Sequence, residues 1–443
     1  MQKLKMRSLI QEVFGKEVKF AIGCTEVAAI GLVCSLALNA ALENFKGGLK
    51  LKRKIEAKDA KKIKSVLLTL DPYLIKNAVG AGVPRSSGEC GIKSAAALGL
   101  FGDPSRKLFI FDSVDENYAR LVKQLGKTIR VQMKEVGNVP EIYAEAMIET
   151  ANGWGRAVIQ KEHENVVLVE SNSGCYLKAK EAQKGSVEEY KEAFKGLTLG
   201  DIIDYVGCLP DGIRAIVKKG IDSVRDLSAE GLKRPLGIGV GYALRDDTEE
   251  IKNFIKMRTT SAIDSRMFGV PKPCVSVAGS GNQGIMTTMP INAYAEKVGL
   301  DEELLVCSVA LSYLITIYAS YHSSYLSAVC GLGSKAGVGS SAGLAYYASK
   351  GERGVVEMAI QNFIASIPGM VCDGAKYSCA IKGAIATDAV YQSVQLALKN
   401  REPPYENGIL GKNVEESISN LGKIMKGAQP LNQTIVEIIK KRI

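Results

Sequence analysis

Apolar and polar positions along the first hundred residues follow the pattern of buried helices, with long apolar runs separated by glycine or proline breaks. A helix is predicted over 26–45, and Thr25 is the residue expected to cap its start. Two further helices are predicted over 57–70 and 89–100. The N-terminal part of the chain is therefore expected to be mainly helical.

The pattern then changes to a period of two, which is typical of strands. Strands are predicted over 107–112, 128–135, 141–150, 156–161 and 165–170, with hairpin turns at 151–155 and 162–164. Helical periodicity returns at about residue 187 and continues to the end of the chain. The sequence thus predicts an α+β protein that is predominantly helical. A helical domain would be formed by 1–105 and 187–443, and a β-rich, largely antiparallel α/β domain would be inserted at 106–186.

Charge and hydropathy exclude several classes of function. The formal charge is +10, but the lysines are interspersed with glutamates, and the basic runs at 50–64 and 440–443 lack aromatic residues. No nucleic-acid partner is therefore expected. The apolar runs at 27–42 and 304–319 are shorter than the roughly 20 residues that a bilayer span needs, so no membrane partner is expected. Residues 1–19 are charged and lack the apolar centre of a secretory signal, which predicts a cytoplasmic protein with reduced cysteines.

Three of the ten cysteines have unusual surroundings. Cys330 follows an apolar helix and precedes two glycines, and Cys372 and Cys379 flank a polar turn. Ser378 is a good N-cap, so Cys379 should lie in the first turn of a helix. Three thiolates suit an iron–sulfur cluster with one open iron, whereas structural zinc normally takes four ligands. From spacing alone, a cluster and three simple buried thiols are equally well supported.

Cys24 is the remaining thiol with a chemical signal. It precedes the predicted N-terminus of a helix, where the helix dipole favours a thiolate, although Glu26 opposes this with its negative charge. The alternative is that Cys24 is a small buried residue, as Cys34 is expected to be. His163 is predicted to lie in a solvent-exposed turn, and His322 is interpreted as a structural histidine. The other cysteines are interpreted as having no chemical role: Cys90, Cys175, Cys208, Cys274 and Cys307.

A glycine-rich loop at 279–284 could hold a free amino acid. Its backbone N–H groups and the side chains of Ser280, Asn282 and Gln283 are suitable partners for a carboxylate, although an ordinary turn into a helix is the alternative. Asn77 is a further candidate for the same pocket. Lys376, between two of the candidate thiols, could stabilise a substrate carboxylate or be a solvated loop lysine.

Four motifs carry a resemblance that spans most of the chain. They are Gly-Cys-Thr-Glu at 23–26, Gly-Ser-Gly-Asn-Gln-Gly at 279–284, Leu-Ser-Ala-Val-Cys-Gly at 326–331 and Met-Val-Cys-Asp-Gly-Ala-Lys-Tyr-Ser-Cys-Ala-Ile-Lys at 370–382. With them the chain resembles the iron–sulfur L-cysteine desulfidases and, more distantly, the iron–sulfur L-serine dehydratases. The family usually has proline after the first motif, where this chain has Val27. Proline there mainly presets the backbone of a first helical turn, so the departure bears on the subfamily more than on the cofactor.

The resemblance implies a function and a division of labour. Cys330, Cys372 and Cys379 would hold a [4Fe-4S] cluster whose open iron acts as a Lewis acid, and Cys24 would remove the α-proton of L-cysteine. The products would be hydrogen sulfide, pyruvate and ammonia. The predicted partners are the substrate L-cysteine and a second copy of the chain in a homodimer.

Three alternatives stay open at the level of sequence. An iron–sulfur L-serine dehydratase would use the same cluster on a hydroxyl group. A pyridoxal-phosphate lyase would use Lys382 or Lys376 as its Schiff-base residue. A non-catalytic metal- or sulfur-binding protein would keep the thiols without turnover.

Overall fold

A computed structural model describes residues 2–133, 142–179, 186–323, 327–405 and 407–441. Its helices are α1 Gln2–Glu17, α2 Thr25–Ala41, α3 Ala57–Ala60, α4 Pro72–Ala78, α5 Ile92–Gly99, α6 Ala119–Gly126, α7 Ser186–Lys195, α8 Leu199–Val206, α9 Asp211–Lys233, α10 Val240–Ala243, α11 Ile251–Phe268, α12 Gly281–Val298, α13 Glu302–His322, α14 Lys335–Ala348, α15 Arg353–Ser366, α16 Cys379–Ala397, α17 Val414–Gly427 and α18 Gln429–Lys440. Its strands are β1 Val18–Ile22, β2 Ile63–Leu70, β3 Ile129–Met133, β4 Tyr143–Thr150, β5 Gly153–Gln160, β6 Val166–Ser171, β7 Gly174–Lys178 and β8 Pro273–Val277. The α+β class expected from the sequence is confirmed.

Six of the strands form one sheet in the order β3-β2-β4-β5-β6-β7. The β2–β3 pair is parallel and the other pairs are antiparallel, with Val66 opposite both Ile129 and Ile148. The apolar helix α2 lies on this sheet, since a Cβ atom at Gly155 of β5 would come within 2.2 Å of the Ala37 carbonyl oxygen. Every residue of α2 is buried, as expected for a helix that is apolar on all sides.

Two predicted elements are wrong, and the strands β1, β7 and β8 were not predicted. Residues 57–70 were expected to form one helix, but α3 ends at Ala60 and β2 follows, because alternate residues from Val66 to Leu70 point into the core with a period of two. Residues 107–112 were expected to form a strand, but they lie in a 3₁₀ segment, Pro104–Ser113, which Asp103 caps. Residues 134, 135 and 141 of two predicted strands, and Leu326 of the third motif, lie outside the described residues.

The buried apolar side chains form two cores. One runs from Ala21 to Val169 and joins α2, α4 and α5 to the six-stranded sheet. The other joins α1 and β1 to the helices that follow residue 190, in which small residues allow close helix contact. A Cβ atom at Gly343 of α14, for example, would lie 2.5 Å from the Ser308 carbonyl oxygen of α13. The predicted domain boundaries at residues 105 and 186 stay a prediction. Strand β2 precedes residue 105 and is nevertheless an inner strand of the six-stranded sheet.

One helix among the described residues, α13, is long and apolar enough to span a bilayer. It is longer than the apolar run seen in the sequence because polar residues extend both of its ends. Within the fold, 94% of its apolar window is buried against other helices. It therefore serves as a core helix here.

Replacing Asp71 tests how α4 is fixed to the sheet. One of its carboxylate oxygens accepts bonds from the Tyr73 and Leu74 N–H groups at 2.8 and 2.9 Å, and the other accepts the Tyr143 N–H at 2.8 Å. Asp71→Ala leaves these donors unsatisfied and should lower the free energy of unfolding by about 2 kcal/mol or more. Urea denaturation measures this. Asn413→Ala, which removes the exposed cap of α17, should cost less, and equal losses would contradict the linking role of Asp71.

Candidate active site

Cys24 occupies the N-cap position of α2, with Thr25 as the first helical residue instead of the expected cap. Gly23 reaches this turn with a φ of 73°, and any side chain there would collide with Pro84. The Cys24 thiol makes no capping bond; it donates to Glu26 Oε2 at 2.7 Å. Burial and then the negative charge of Glu26 raise the pKa of Cys24 well above that of an ordinary thiol. The resting group is therefore a thiol, although the helix dipole alone predicts a thiolate.

Glu26 is a buried carboxylate with partners from three elements. Besides Cys24, it accepts bonds from Thr25 Oγ1 at 3.0 Å and from Asn77 Nδ2 at 3.1 Å. His163 Nε2 lies 3.9 Å from its Oε1 atom. Burial alone would raise the pKa of Glu26, but His163, the thiol bond and Arg266 outweigh it and the pKa is lowered. The site thus holds a carboxylate beside a protonated thiol.

The position of His163 corrects the sequence-based expectation. It does lie in the turn between β5 and β6, but only 12% of its side chain is exposed, and the turn folds onto the start of α2. Burial lowers the pKa of His163 and Glu26 opposes that effect. Nε2 is buried without a hydrogen-bond partner. His322, by contrast, packs on Tyr318 with ring centroids 4.8 Å apart, in line with a structural role.

The loop before α12 lies next to Cys24, since Thr25 Oγ1 donates to the Gly279 carbonyl at 3.3 Å. Ser280 is the N-cap of α12 and accepts the Gln283 N–H. Asn282 is buried, and its Oδ1 accepts a bond from Arg266 Nη1 at 2.9 Å. Arg266, which the sequence reading missed, is itself 3% exposed and has a buried Nε without a partner. A buried cation with a free donor is suited to an anionic group.

Gln283 connects this loop to Cys330. Its Nε2 lies 3.5 Å from the Ala278 carbonyl, and its Oε1 is buried without a partner. A Cβ atom at Gly331 would come within 3.2 Å of Gln283 Cδ and 3.0 Å of Lys335 Cε. The glycine next to Cys330 therefore allows both side chains to approach.

Cys330 and Cys372 lie on two short paired segments. The Cys330 N–H donates to the Met370 carbonyl at 2.6 Å, and the Cys372 N–H donates to the Ala328 carbonyl at 2.7 Å. The two thiols lie close enough for each to shift the pKa of the other. Cys379 is the first residue of α16 after Ser378, as predicted, and its thiol donates to the Gly374 carbonyl at 3.7 Å. Cys372 also influences the pKa of both other thiols, so the three predicted thiols lie in one neighbourhood.

Lysines surround these thiols. Lys76 is fully buried and donates to the Ser327 carbonyl at 3.0 Å and the Cys372 carbonyl at 3.3 Å. Lys382 donates to the Val371 carbonyl at 2.8 Å and pairs with Asp373. The Cys330 thiol lowers the pKa of Cys372, and Lys76 acts in the same direction. The Cys372 thiol and burial raise the pKa of Cys330, and burial raises the pKa of Cys379. Cys372 is therefore the thiol most ready to ionise, and the lysines would offset the charge of the thiolates.

The donor chemistry of this group fits an iron–sulfur cluster, which is held by cysteine thiolates. Three thiols and compensating lysines meet in a largely buried region. Within the described ranges, no group of three or more His, Cys, Asp or Glu side chains is arranged around a single metal ion. The thiols therefore match a cluster by their chemistry, and they do not form a preformed single-ion site.

Helix α4 joins the two groups of side chains. Lys76 donates to the segment of Cys372, and the next residue, Asn77, donates to Glu26. Gly374 has a φ of 99°, and a Cβ atom there would lie 2.0 Å from the Lys76 carbonyl oxygen, so the Cys372–Cys379 turn lies directly on this helix. Two adjacent residues of α4 thus contact the Cys24 group and the turn that carries Cys372 and Cys379.

Not all of the predicted residues share this arrangement. Lys376 pairs with Asp373, and its Nζ also lies 3.2 Å from the Asp373 carbonyl oxygen. The cysteines expected to lack a chemical role are free thiols outside the group of three: Cys34, Cys274 and Cys307 are buried, and Cys90, Cys175 and Cys208 are exposed.

The C-terminal half of the chain belongs to the family of serine dehydratase alpha chains. Residues 208–438 match the family model described as "Serine dehydratase alpha chain". The matched region includes the loop before α12 and the three thiols, but not Cys24 or the sheet.

Similarity to individual proteins covers the whole chain. The chain is 34% identical to an "L-cysteine desulfidase" of Methanocaldococcus jannaschii, over 99% of each chain. It is 33% identical to an "L-cysteine desulfidase" of Methanococcus maripaludis, over 98% of each. It is also 32% identical to a "UPF0597 protein" of Clostridium tetani, over 99% of this chain and 100% of that one. The chain therefore belongs to the family of L-cysteine desulfidases and UPF0597 proteins, and the resemblance stated from its motifs is confirmed.

Proposed function

We propose that this protein is an L-cysteine desulfidase, a carbon–sulfur lyase that converts L-cysteine and water to hydrogen sulfide, pyruvate and ammonia. The observation that carries the proposal is the buried Cys24–Glu26 pair, connected through α4 to three converging thiols. A β-elimination needs a base for the α-proton and an electrophile for the leaving sulfur, and these two groups suit those tasks. The names of the two archaeal relatives support the choice of sulfur chemistry.

The proposed cofactor is a [4Fe-4S] cluster held by Cys330, Cys372 and Cys379. When bound, it would supply an open iron as a Lewis acid for the substrate sulfur. The protein's part is to provide buried thiolates and to compensate their charge with Lys76 and Lys382. Cytoplasmic location and a homodimer stay predictions.

The proposed carboxylate site is formed by Arg266, Asn282 and Gln283. Arg266 and Gln283 are buried with unpartnered polar atoms, which a substrate carboxylate and ammonium group would satisfy. Ser280 contributes by capping α12, and Asn77 by fixing Glu26 instead of touching the substrate. Lys376 is engaged by Asp373, so its contribution would be to order the Cys372–Cys379 turn.

Cys24 is the proposed base. Its sulfur lies at the start of α2 next to the glycine-rich loop that would hold the substrate, as the Thr25–Gly279 contact indicates. Proton removal by a positioned side chain typically contributes about 10²–10⁴-fold to a rate. After sulfide has left, tautomerisation and hydrolysis of the enamine need little from the protein.

Arg266 offers a test of substrate recognition. Arg266→Lys should raise KM for L-cysteine by about 10–100-fold, because a charged hydrogen bond contributes about 1.5–3 kcal/mol. Steady-state kinetics on anaerobic enzyme measure this. Arg258→Lys, on the same helix but paired with Glu296, is the matched control and should keep the wild-type KM. An unchanged KM in Arg266→Lys would remove Arg266 from the carboxylate site.

The decisive experiment compares substrates on protein prepared without oxygen. Sulfide and pyruvate should form from L-cysteine, and iron and acid-labile sulfide should be present. A strong preference for L-serine would instead make the protein an L-serine dehydratase, the candidate that the family match at 208–438 favours. Iron without product from either amino acid would indicate a binding protein. A pyridoxal-phosphate lyase is disfavoured because Lys376 and Lys382 both pair with Asp373.

A further inference from the structure

We propose that Glu26 and His163 form a proton relay for Cys24, in which Glu26 takes the thiol proton and His163 stores it during turnover. The inference rests on the proposed function and extends it to two residues that act through Cys24. It also gives the β-rich part of the chain a role, since His163 lies in the turn between β5 and β6.

The side chains of Cys24, Glu26 and His163 follow one another in space, with Glu26 between the other two. Cys24 Sγ is 2.7 Å from Glu26 Oε2, and the other oxygen of the same carboxylate is 3.9 Å from His163 Nε2. Thr25 and Asn77 each donate one hydrogen bond to the carboxylate and so fix its plane. His163 Nε2 is buried and has no hydrogen-bond partner, so it is able to accept a proton from Glu26.

The relay solves a problem posed by Cys24. Its thiol is 2% exposed and sits beside a carboxylate, and both facts favour the protonated form. A protonated thiol cannot remove an α-proton. Glu26 holds the thiol proton only transiently, because its own pKa is lowered, and the neutral imidazole of His163 then takes that proton from it.

The charged groups around the relay come from several elements. Arg266 of α11 and Lys76 of α4 are the cations near Glu26, and Asp71 at the start of α4 is a nearby acid. His163 is bordered by a small network in which Lys19 lies 3.7 Å from Glu162 and 3.9 Å from Glu164, and Lys107 lies 3.6 Å from Glu164. This largely balanced surrounding allows His163 to be neutral at rest and cationic in turnover.

The proton steps balance. First, the S–H bond of Cys24 breaks and an O–H bond forms on Glu26; that proton then moves to His163 Nε2 and Glu26 is again a carboxylate. Next, the Cys24 thiolate takes the α-proton, the Cα–H electron pair forms the Cα=Cβ bond, and the Cβ–S bond breaks with its pair on the departing hydrosulfide. Finally, the imidazolium returns its proton to Glu26, which passes it to the hydrosulfide, giving hydrogen sulfide and restoring the carboxylate. No electron is gained or lost.

The first test is the pH profile of kcat for anaerobic holoenzyme. Glu26→Gln should lower kcat at neutral pH by about 10²–10³-fold with KM little changed, and its kcat should rise with pH because Cys24 must then ionise unaided. His163→Gln should lose about tenfold in kcat. Glu26→Asp should recover part of the loss. His322→Gln, the other histidine, is the control and should keep the wild-type profile. A wild-type profile in Glu26→Gln would overturn the relay.

The second test does not depend on turnover. Alkylation of Cys24 by iodoacetamide, followed against pH by mass spectrometry, reports the ionisation of its thiol. Glu26→Gln removes a negative charge and should shift the midpoint for Cys24 to lower pH, while Cys34, buried in the same helix, should be unaffected. An unchanged Cys24 midpoint would refute the coupling. A shifted midpoint in a protein that does not cleave L-cysteine would refute the proposed function and leave the coupling standing.

Discussion

Cys372→Ala protein, prepared without oxygen, is expected to lose most of its iron and with it the release of sulfide from L-cysteine. The Cys330 thiol influences the pKa of Cys372, the segment of Cys372 pairs with that of Cys330, and the Cys372 carbonyl accepts a bond from Lys76. Mutation of a residue that hydrogen-bonds to a metal ligand typically lowers metal affinity by about 10–100-fold, and loss of a ligand itself should lower it more. Cys330→Ala and Cys379→Ala should give the same result.

Iron and acid-labile sulfide per chain, together with the visible absorption of the protein, measure this effect. Cys307→Ala removes a buried thiol of α13 outside the group of three and is the matched control, which should retain iron. If all three variants kept their iron, the cofactor assignment would be wrong. If only one of them did, that residue would not be a ligand.

Cys24→Ala is expected to have the opposite combination of effects, with normal iron content and a kcat lowered by about 10²–10⁴-fold. The thiol contacts Glu26 and makes no helix-capping bond, so its removal should leave α2 in place. Proton exchange at Cα of L-cysteine in deuterated solvent should stop along with product formation, because both need the base.

The control for this variant is Cys34→Ala, which removes another buried thiol of α2 at a distance from the site. It should keep both iron and turnover, with a modest loss of stability from the cavity. Loss of iron in Cys24→Ala would show that Cys24 is a ligand instead of a base. Turnover within a few-fold of the wild type would assign the base to another residue.

Local signals in the sequence were sufficient for much of the site. Ser378 is a recognisable N-cap residue, so the start of α16 and the position of Cys379 could be predicted, although the Ser378 side chain makes no capping bond. The motif at 23–26 located the start of α2 to within one residue, although Cys24 and not Thr25 is the N-cap. Each of these features depends on a few neighbouring residues.

The remaining features depend on contacts between distant parts of the chain. His163 reads as a solvent-exposed turn residue because nothing near it in sequence indicates that the β5–β6 turn packs on α2. Arg266 and Lys76 were not predicted as site residues, because their burial follows only from helix packing. The prediction of a helix over 57–70 was wrong because β2 is a strand only through its pairing with β3 and β4. Those two strands come much later in the chain.

The seven-residue helix α4 makes the two groups of side chains in this site depend on each other in evolution. Lys76 and Asn77 are adjacent in sequence but serve opposite halves of the site, so a shift of this helix is transmitted to both. Substitutions at these two positions should therefore show strong epistasis, with a combined effect that differs from the sum of the single effects.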